Sequence, residues 1–122
     1  MIRLKRIYDP PEPGDGARYL VERLWPRGVK KEEAALTEWF KEVAPSTALR
    51  KWYNHEPERW PEFQKRYREE LNHEAHRAAF AQLQHAARRG PITLVYGAHD
   101  EERNSAVVLK QVLTGGRRTR SK

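Results

Sequence analysis

The sequence predicts a single compact domain of the α/β class: a mostly parallel β-sheet of about four strands flanked by helices. Three observations point there. Ile92-Thr93-Leu94-Val95-Tyr96 is a short run that is apolar on both alternating faces, as a central parallel strand covered on both sides must be. Strand-like and helix-like stretches alternate along the chain, the order expected of an open α/β sheet. The 122 residues contain no internal repeat and suit one domain, assigned to residues 1–114.

The elements follow in order. Ile2 to Tyr8 alternates well enough for a half-buried strand. Asp9 to Gly16 holds three prolines and two glycines and must be a loop; its length and acidity suggest a flap beside whatever follows, while a plain surface connection fits the same residues better. Arg18 to Leu24 reads as a second strand. Pro26 has no N–H to donate and holds Trp25 extended, so the strand should stop there, and Gly28 can take the left-handed turn that Arg27 would resist. Lys31 to Leu36 is rich in helix formers. Thr37 to Val43 has a two-residue period, but a helix continuing from Ala34 fits nearly as well.

Ser46 is a good N-cap for a helix through Tyr53. Trp60, Phe63, Tyr67 and Leu71 mark one face of an amphipathic helix from about Pro57 to Asn72. Ala75, Ala79, Leu83 and Ala86 continue helically to Arg89, where Gly90-Pro91 is a firm stop. After the Ile92–Tyr96 strand comes the short loop Gly97-Ala98-His99-Asp100. Asn104 or Asp100 can cap a last helix carrying Ala106, Val108, Leu109, Val112 and Leu113, which Gly115-Gly116 ends.

Composition narrows the function. The chain has no cysteine, which excludes disulfides, thiolate catalysis and zinc–thiolate sites. No apolar run approaches the length of a membrane span, and Met1 to Arg6 lacks an apolar signal core, so a cytoplasmic protein without a membrane partner is expected. The formal net charge is +7. Arg117, Arg118, Arg120 and Lys122 fall within residues 115–122, so the rest of the chain is only mildly basic. This end is expected to be a disordered basic tail that solubilises the protein or loosely holds acidic partners.

In open α/β sheets ligands bind at the carboxyl ends of the strands. If the Arg18–Leu24 and Ile92–Tyr96 strands are parallel neighbours, their two following loops meet. They would bring together Arg23, Trp25, Arg27 and Gly28 with Tyr96, His99, Asp100 and Asn104. Arginine forks suit phosphate or carboxylate, and a helix start near Asn104 adds N–H donors for an anion. Asp100 and His99 are the candidate acid–base pair. The plainer alternative is that Arg23 pairs with Glu22 or Asp100 and that Asp100 is only a cap. A second cluster, Ser46, Arg50, Lys51, Trp52, Tyr53 and His55, has the mix of cations and aromatics that binds a nucleobase and its phosphate, though aromatics at helical spacing are more often core. His73 and His76 are three apart, which is not the zincin spacing. No P-loop, dinucleotide fingerprint or nucleophile elbow is present. No metal and no cofactor is expected.

Leu20-Val21-Glu22-Arg23-Leu24-Trp25-Pro26-Arg27-Gly28, Ala44-Pro45-Ser46-Thr47 with Leu49-Arg50-Lys51-Trp52, and Thr93 to Ala98 with Asp100, Asn104 and Ala106 to Leu109 resemble the YeaO-like branch of the domain of unknown function 488 family. The resemblance spans nearly the whole chain. It implies a prokaryotic α/β domain with a parallel sheet and no established activity. It also implies that the later half of Thr37–Val43 is a strand. Three positions depart from the pattern: Glu22 stands where aspartate is usual, Arg103 where histidine is frequent, and Ser105 where a second asparagine is frequent. A role for that histidine is thus in doubt here, with His99 as a substitute.

The reading that follows is a pocket for a phosphate-bearing small molecule, a nucleotide or a nucleic-acid end. Arg23, Trp25, Arg27, Gly28, Ser46, Tyr96 and Asn104 would bind the ligand, and Asp100 and His99 would supply any chemistry. The alternatives are a non-catalytic nucleic-acid-binding accessory protein and a protein interaction module. The sequence does not specify an oligomeric state.

Overall fold

Five consecutive buried residues, Ile92–Tyr96, form the strand around which the others assemble. The computed structural model describes residues 1–115. Its elements are β1 (Ile2–Arg6), β2 (Ala17–Leu20), α1 (Lys31–Ala34), β3 (Glu38–Trp39), α2 (Thr47–Tyr53), α3 (Trp60–Leu71), α4 (Glu74–Arg89), β4 (Ile92–Tyr96) and α5 (Ser105–Leu113). The strands form one four-stranded sheet in the order β1-β4-β2-β3, and every pairing is parallel. The expected α/β class holds. The expected tail lies, Gly115 apart, outside the described residues.

Both faces of β4 are covered, as its unbroken apolar run requires. Leu94 belongs to the main core with Val21, Phe63, Tyr67, Leu83 and Leu109. Val95 turns to the other face and packs with Ile7, Leu20 and Ala34. The helices follow the expected faces: α3 buries Phe63, Tyr67 and Leu71, and α4 buries His76, Ala79 and Leu83. Ser46 caps α2, its hydroxyl accepting from the Leu49 amide. Asn104 caps α5, its side chain accepting from the Val107 amide.

Three elements differ from expectation. β2 is shorter than Arg18–Leu24. Its ladder runs through the Val21 amide, which donates to Val95 O at 3.1 Å. One residue later the Trp39 indole takes the Glu22 carbonyl at 2.6 Å, and the chain leaves the sheet. The edge strand β3 has only two residues and cannot hold β2 any further. Second, the later half of Thr37–Val43 is not a strand; it is a 3-10 turn at Lys41–Val43. Side chains rather than a neighbouring strand capture its carbonyls: His76 Nδ1 donates to Glu42 O at 2.6 Å and the Tyr67 hydroxyl to Val43 O at 2.6 Å.

The third difference is the proline-rich loop. It is the return path from β1 to the start of β2, exposed over residues 9–14 like a plain surface connection rather than a flap, but it turns one residue inward. Asp15, in a 3-10 turn at Pro13–Asp15, is buried there. Its carbonyl accepts from the Thr93 hydroxyl at 2.8 Å. Gly16 has φ 65, and a Cβ on it would stand 2.1 Å from the Pro91 carbonyl oxygen. Only glycine allows β2 to start this close to β4.

Candidate functional site

Because β2 and β4 are parallel neighbours, the segments that follow them emerge side by side at one edge of the sheet. A cavity of about 650 Å³ opens there, within the range of small-molecule sites. Its wall includes Glu22, Arg23, Trp25, Pro26 and Arg27 after β2, Ala98 and His99 after β4, and Asn104 and Ser105 at the start of α5. The end of α2 supplies the remaining side, with Arg50, Tyr53 and His55. Arg50, Tyr53 and His55 of the second cluster thus face the same space as Arg23, Trp25, Arg27, His99 and Asn104 of the first.

Arg23 pairs with neither Glu22 nor Asp100. Its Nε donates to Pro45 O at 2.9 Å and its Nη2 to Ala44 O at 3.0 Å. It fixes the segment that closes the cavity on the α2 side. Arg27 is exposed. Among the described residues only its carbonyl is engaged, accepting from the Tyr8 hydroxyl at 3.1 Å. Gly28 takes φ 78 as expected and lets the turn form. The Trp25 indole donates to Val29 O at 2.8 Å across that turn and packs edge-on to Trp39. Pro26 and Gly28 therefore position Arg27 at the cavity mouth without engaging its guanidinium.

Asn104 and His99 also line the cavity. His99 Nδ1 lies 3.4 Å from Arg6 Nη2, and Arg6 Nε holds the Ala98 carbonyl at 2.9 Å. Gly28, Ser46, Tyr96 and Asp100 are not among the lining residues. Ser46 is engaged as the α2 cap and donates its hydroxyl to Glu70. Tyr96 is 3% exposed and belongs to the core. Asp100 Oδ1 accepts from the amides of Glu102 and Arg103, and its Oδ2 pairs with Arg103 Nε at 3.0 Å. The Glu102 and Arg103 amides and the Arg103 charge hold its carboxyl below the usual range, which makes it a poor proton acceptor. No hydrogen bond joins it to His99.

The most informative residue was visible in the sequence only as a neighbour of Arg23. Glu22 leaves the sheet with its side chain turned back, and its Oε2 accepts from the Gly97 amide at 2.7 Å. Burial pushes this carboxyl up, while the Gly97 amide, His55 and Arg50 pull it down. Across the cavity, Arg50 Nε is the one buried side-chain nitrogen or oxygen without a hydrogen-bond partner among the described residues. A strand-end acidic residue beside an arginine-rich turn was the available signal. The facing of Glu22 by α2 had none.

Among the described residues, no group of three or more His, Cys, Asp or Glu is placed to hold a metal ion. His76 is 7% exposed and engaged by Glu42. Thermal melts with and without a chelator are therefore expected to coincide, and a large downward shift with chelator would contradict this. Among the same residues no helix is long and apolar enough to cross a membrane.

The geometry is that of an open, all-parallel α/β domain with a cavity of about 650 Å³ where such sheets place their ligand sites. A family model described as the inactive DUF488-N3 subclade matches residues 1–121. The chain is 46% identical over 109 residues to the uncharacterized protein YeaO of Escherichia coli, covering 88% of this chain and 92% of that protein. It is 43% identical over 114 residues to the uncharacterized protein Rv3073c of Mycobacterium tuberculosis, covering 93% and 94%. This chain belongs to the DUF488 family, in its YeaO-like branch. No solved structure matches significantly.

Proposed function

We propose that this protein binds a small phosphate-bearing molecule of the nucleoside phosphate class in the strand-end cavity and does not transform it. The observation that carries the reading is a cavity with two unmet donors among the described residues: Arg27 at the mouth, whose unengaged guanidinium suits the phosphate, and Arg50 in the wall, whose unpartnered buried Nε suits an acceptor elsewhere on the ligand. Unpaired buried donors are costly, so a ligand acceptor is the natural partner of the latter. Binding without chemistry is favoured by the state of Asp100, which its own loop holds ionised and occupied. The description of the subclade as inactive points the same way.

Apolar surface completes the match to a nucleoside. The described large hydrophobics that stand exposed are Met1, Tyr8 and Leu24. Tyr8, 49% exposed, and Leu24, 59% exposed, both border the cavity. A base resting on them would cover apolar area that otherwise meets water.

Arg27→Ala is the direct test. Its stability is expected to stay within about 0.5 kcal/mol of the parent, as for a surface residue without partners. Affinity for a nucleoside phosphate, measured calorimetrically, is expected to fall by about 1.5–3 kcal/mol, the scale of a hydrogen bond to a charged group. Unchanged affinity would remove Arg27 from the site. Product appearing during prolonged incubation would overturn the binding-only reading. A nucleic-acid backbone in place of a small ligand would show itself by a loss of about 10³–10⁵ in affinity between roughly 50 and 200 mM salt.

A further inference from the structure

We propose that the cavity contains a subsite for a vicinal diol, the 2′- and 3′-hydroxyls of a ribose, formed by Glu22, Arg50 and His55. The inference rests on the binding reading above and narrows it to ribonucleotides.

The argument starts from what these side chains do not do. Glu22, Arg50 and His55 line one cavity. The charges of His55 and Arg50 both act on the Glu22 carboxyl, yet no ion pair within 4.0 Å joins either of them to it. A carboxylate, a guanidinium and an imidazole thus line one cavity without pairing directly. Glu22 Oε2 already accepts from the Gly97 amide, so the carboxylate is held in place and its other oxygen remains for a ligand. Arg50 Nε is buried without a partner.

A group joining them must donate to Glu22 and accept from Arg50. A phosphate oxygen cannot donate, and Glu22 would repel it. An ammonium cannot accept. A hydroxyl does both, and two adjacent hydroxyls can serve the carboxylate, the guanidinium and the imidazole together. The edge of a nucleobase also offers both functions, but it needs a flat slot. The aromatic rings nearest this side, Tyr53 and Phe63, are stacked on each other with centroids 4.4 Å apart and leave none between them. Apolar surface for a base lies instead at the mouth, on Tyr8 and Leu24.

The backbone supports the placement of His55. Asn54 and His55 have φ 47 and 55, two successive non-glycine residues in the left-handed region. Such a pair costs conformational energy that the surrounding structure must maintain. It turns the chain sharply at the end of α2 and brings His55 to the cavity wall. His55 sits beside Tyr53, whose hydroxyl holds the Arg103 carbonyl ahead of α5 at 3.0 Å.

The test compares a nucleoside 5′-monophosphate with its 2′-deoxy and 2′,3′-dideoxy counterparts by calorimetry on the full chain, for each common base. The ribonucleotide is expected to bind at least about tenfold more tightly than the dideoxy compound, since losing a hydrogen bond to a charged group has at least that effect. Glu22→Gln keeps the shape and can keep the Gly97 bond, but it can present a donor to the cavity. It is expected to reduce the preference to within about twofold. His55→Asn, which tolerates the left-handed backbone, is expected to reduce it as well, with a melting temperature near the parent's. Arg27→Ala should weaken all the compounds by a common factor. Equal binding of ribo- and dideoxy compounds by the parent overturns the diol subsite and leaves the binding reading standing. So does a preference that survives both substitutions. Absence of binding by every nucleotide overturns both.

Discussion

Asp15→Asn is expected to destabilise the fold by about 3–5 kcal/mol, the scale of breaking a buried charge pair while leaving its partners in place. Asp15 is 1% exposed. Arg18 Nη1 lies 2.6 Å from Oδ2 and Lys5 Nζ 3.1 Å from Oδ1, with Arg3 Nη1 at 3.4 Å. Arg18 is itself buried, and its Nε and Nη2 hold the Ala34 carbonyl at 3.2 and 2.9 Å. The asparagine would leave Arg18 and Arg3 without their anion and Lys5 with Glu12 alone, and would loosen the junction of β1, β2 and α1.

The same network predicts an acid dependence. Burial pushes the Asp15 carboxyl up, but the Glu12 amide, Lys5 and Arg18 more than offset this and hold it at about 2, below its ordinary 3.8. A lowered folded-state pKa means that the unfolded chain takes up the proton first as pH falls. The stabilisation is complete above about pH 4 and is lost as pH drops toward about 2. Denaturant melts across that window should show this loss in the parent, and Asp15→Asn should lack this contribution. Parallel pH curves for the two proteins would contradict the assignment. The network lies at the start of β2, away from the cavity, so ligand affinity of the folded variant should be unchanged.

Tyr67→Ala is expected to cost about 3–5 kcal/mol, as for other large aromatic truncations in a core. Tyr67 is 0% exposed, and from α3 its hydroxyl reaches the Val43 carbonyl just ahead of the cavity-wall residues Ala44 and Pro45. Tyr67→Phe separates packing from hydrogen bonding. It keeps the ring but leaves the Val43 carbonyl without the hydroxyl 2.6 Å away, an expected cost of about 1–3 kcal/mol. Burial pushes the Tyr67 hydroxyl far above its ordinary value, so it remains a donor throughout the stable pH range. Arg23 holds the next two carbonyls, Ala44 and Pro45. The phenylalanine variant should therefore remain able to form the cavity wall, and a melting curve identical to the parent's would show that the hydroxyl contributes nothing.

Sequence alone determined the α/β class, the central place of Ile92–Tyr96, the cap at Ser46 and the left-handed turn at Gly28, and it narrowed the last cap to Asn104 or Asp100. Each follows from local rules: an apolar run too short for a helix, a side-chain oxygen ahead of a helix, a glycine after proline and arginine. It also placed Arg23, Trp25, Arg27, His99 and Asn104 at the strand ends, because the end of a parallel strand is a position in sequence as well as in space. Only tertiary structure decided which of the site groups remain available. Arg23 and Asp100 have the right chemistry for a ligand, but nearby backbone groups claim them, and no local pattern records which carbonyl or amide will arrive. The same holds for Thr37–Val43, where side chains from α3 and α4 take carbonyls that a strand would have used. Glu22 is separated from Arg50 and His55 by most of a turn–strand–helix unit; β4, inserted between β1 and β2, brings the Gly97 amide to the Glu22 carboxylate, and the β2 and α2 ends border one cavity. Long-range order of this kind depends on how strands shuffle in the sheet, which hydrophobic periodicity does not encode.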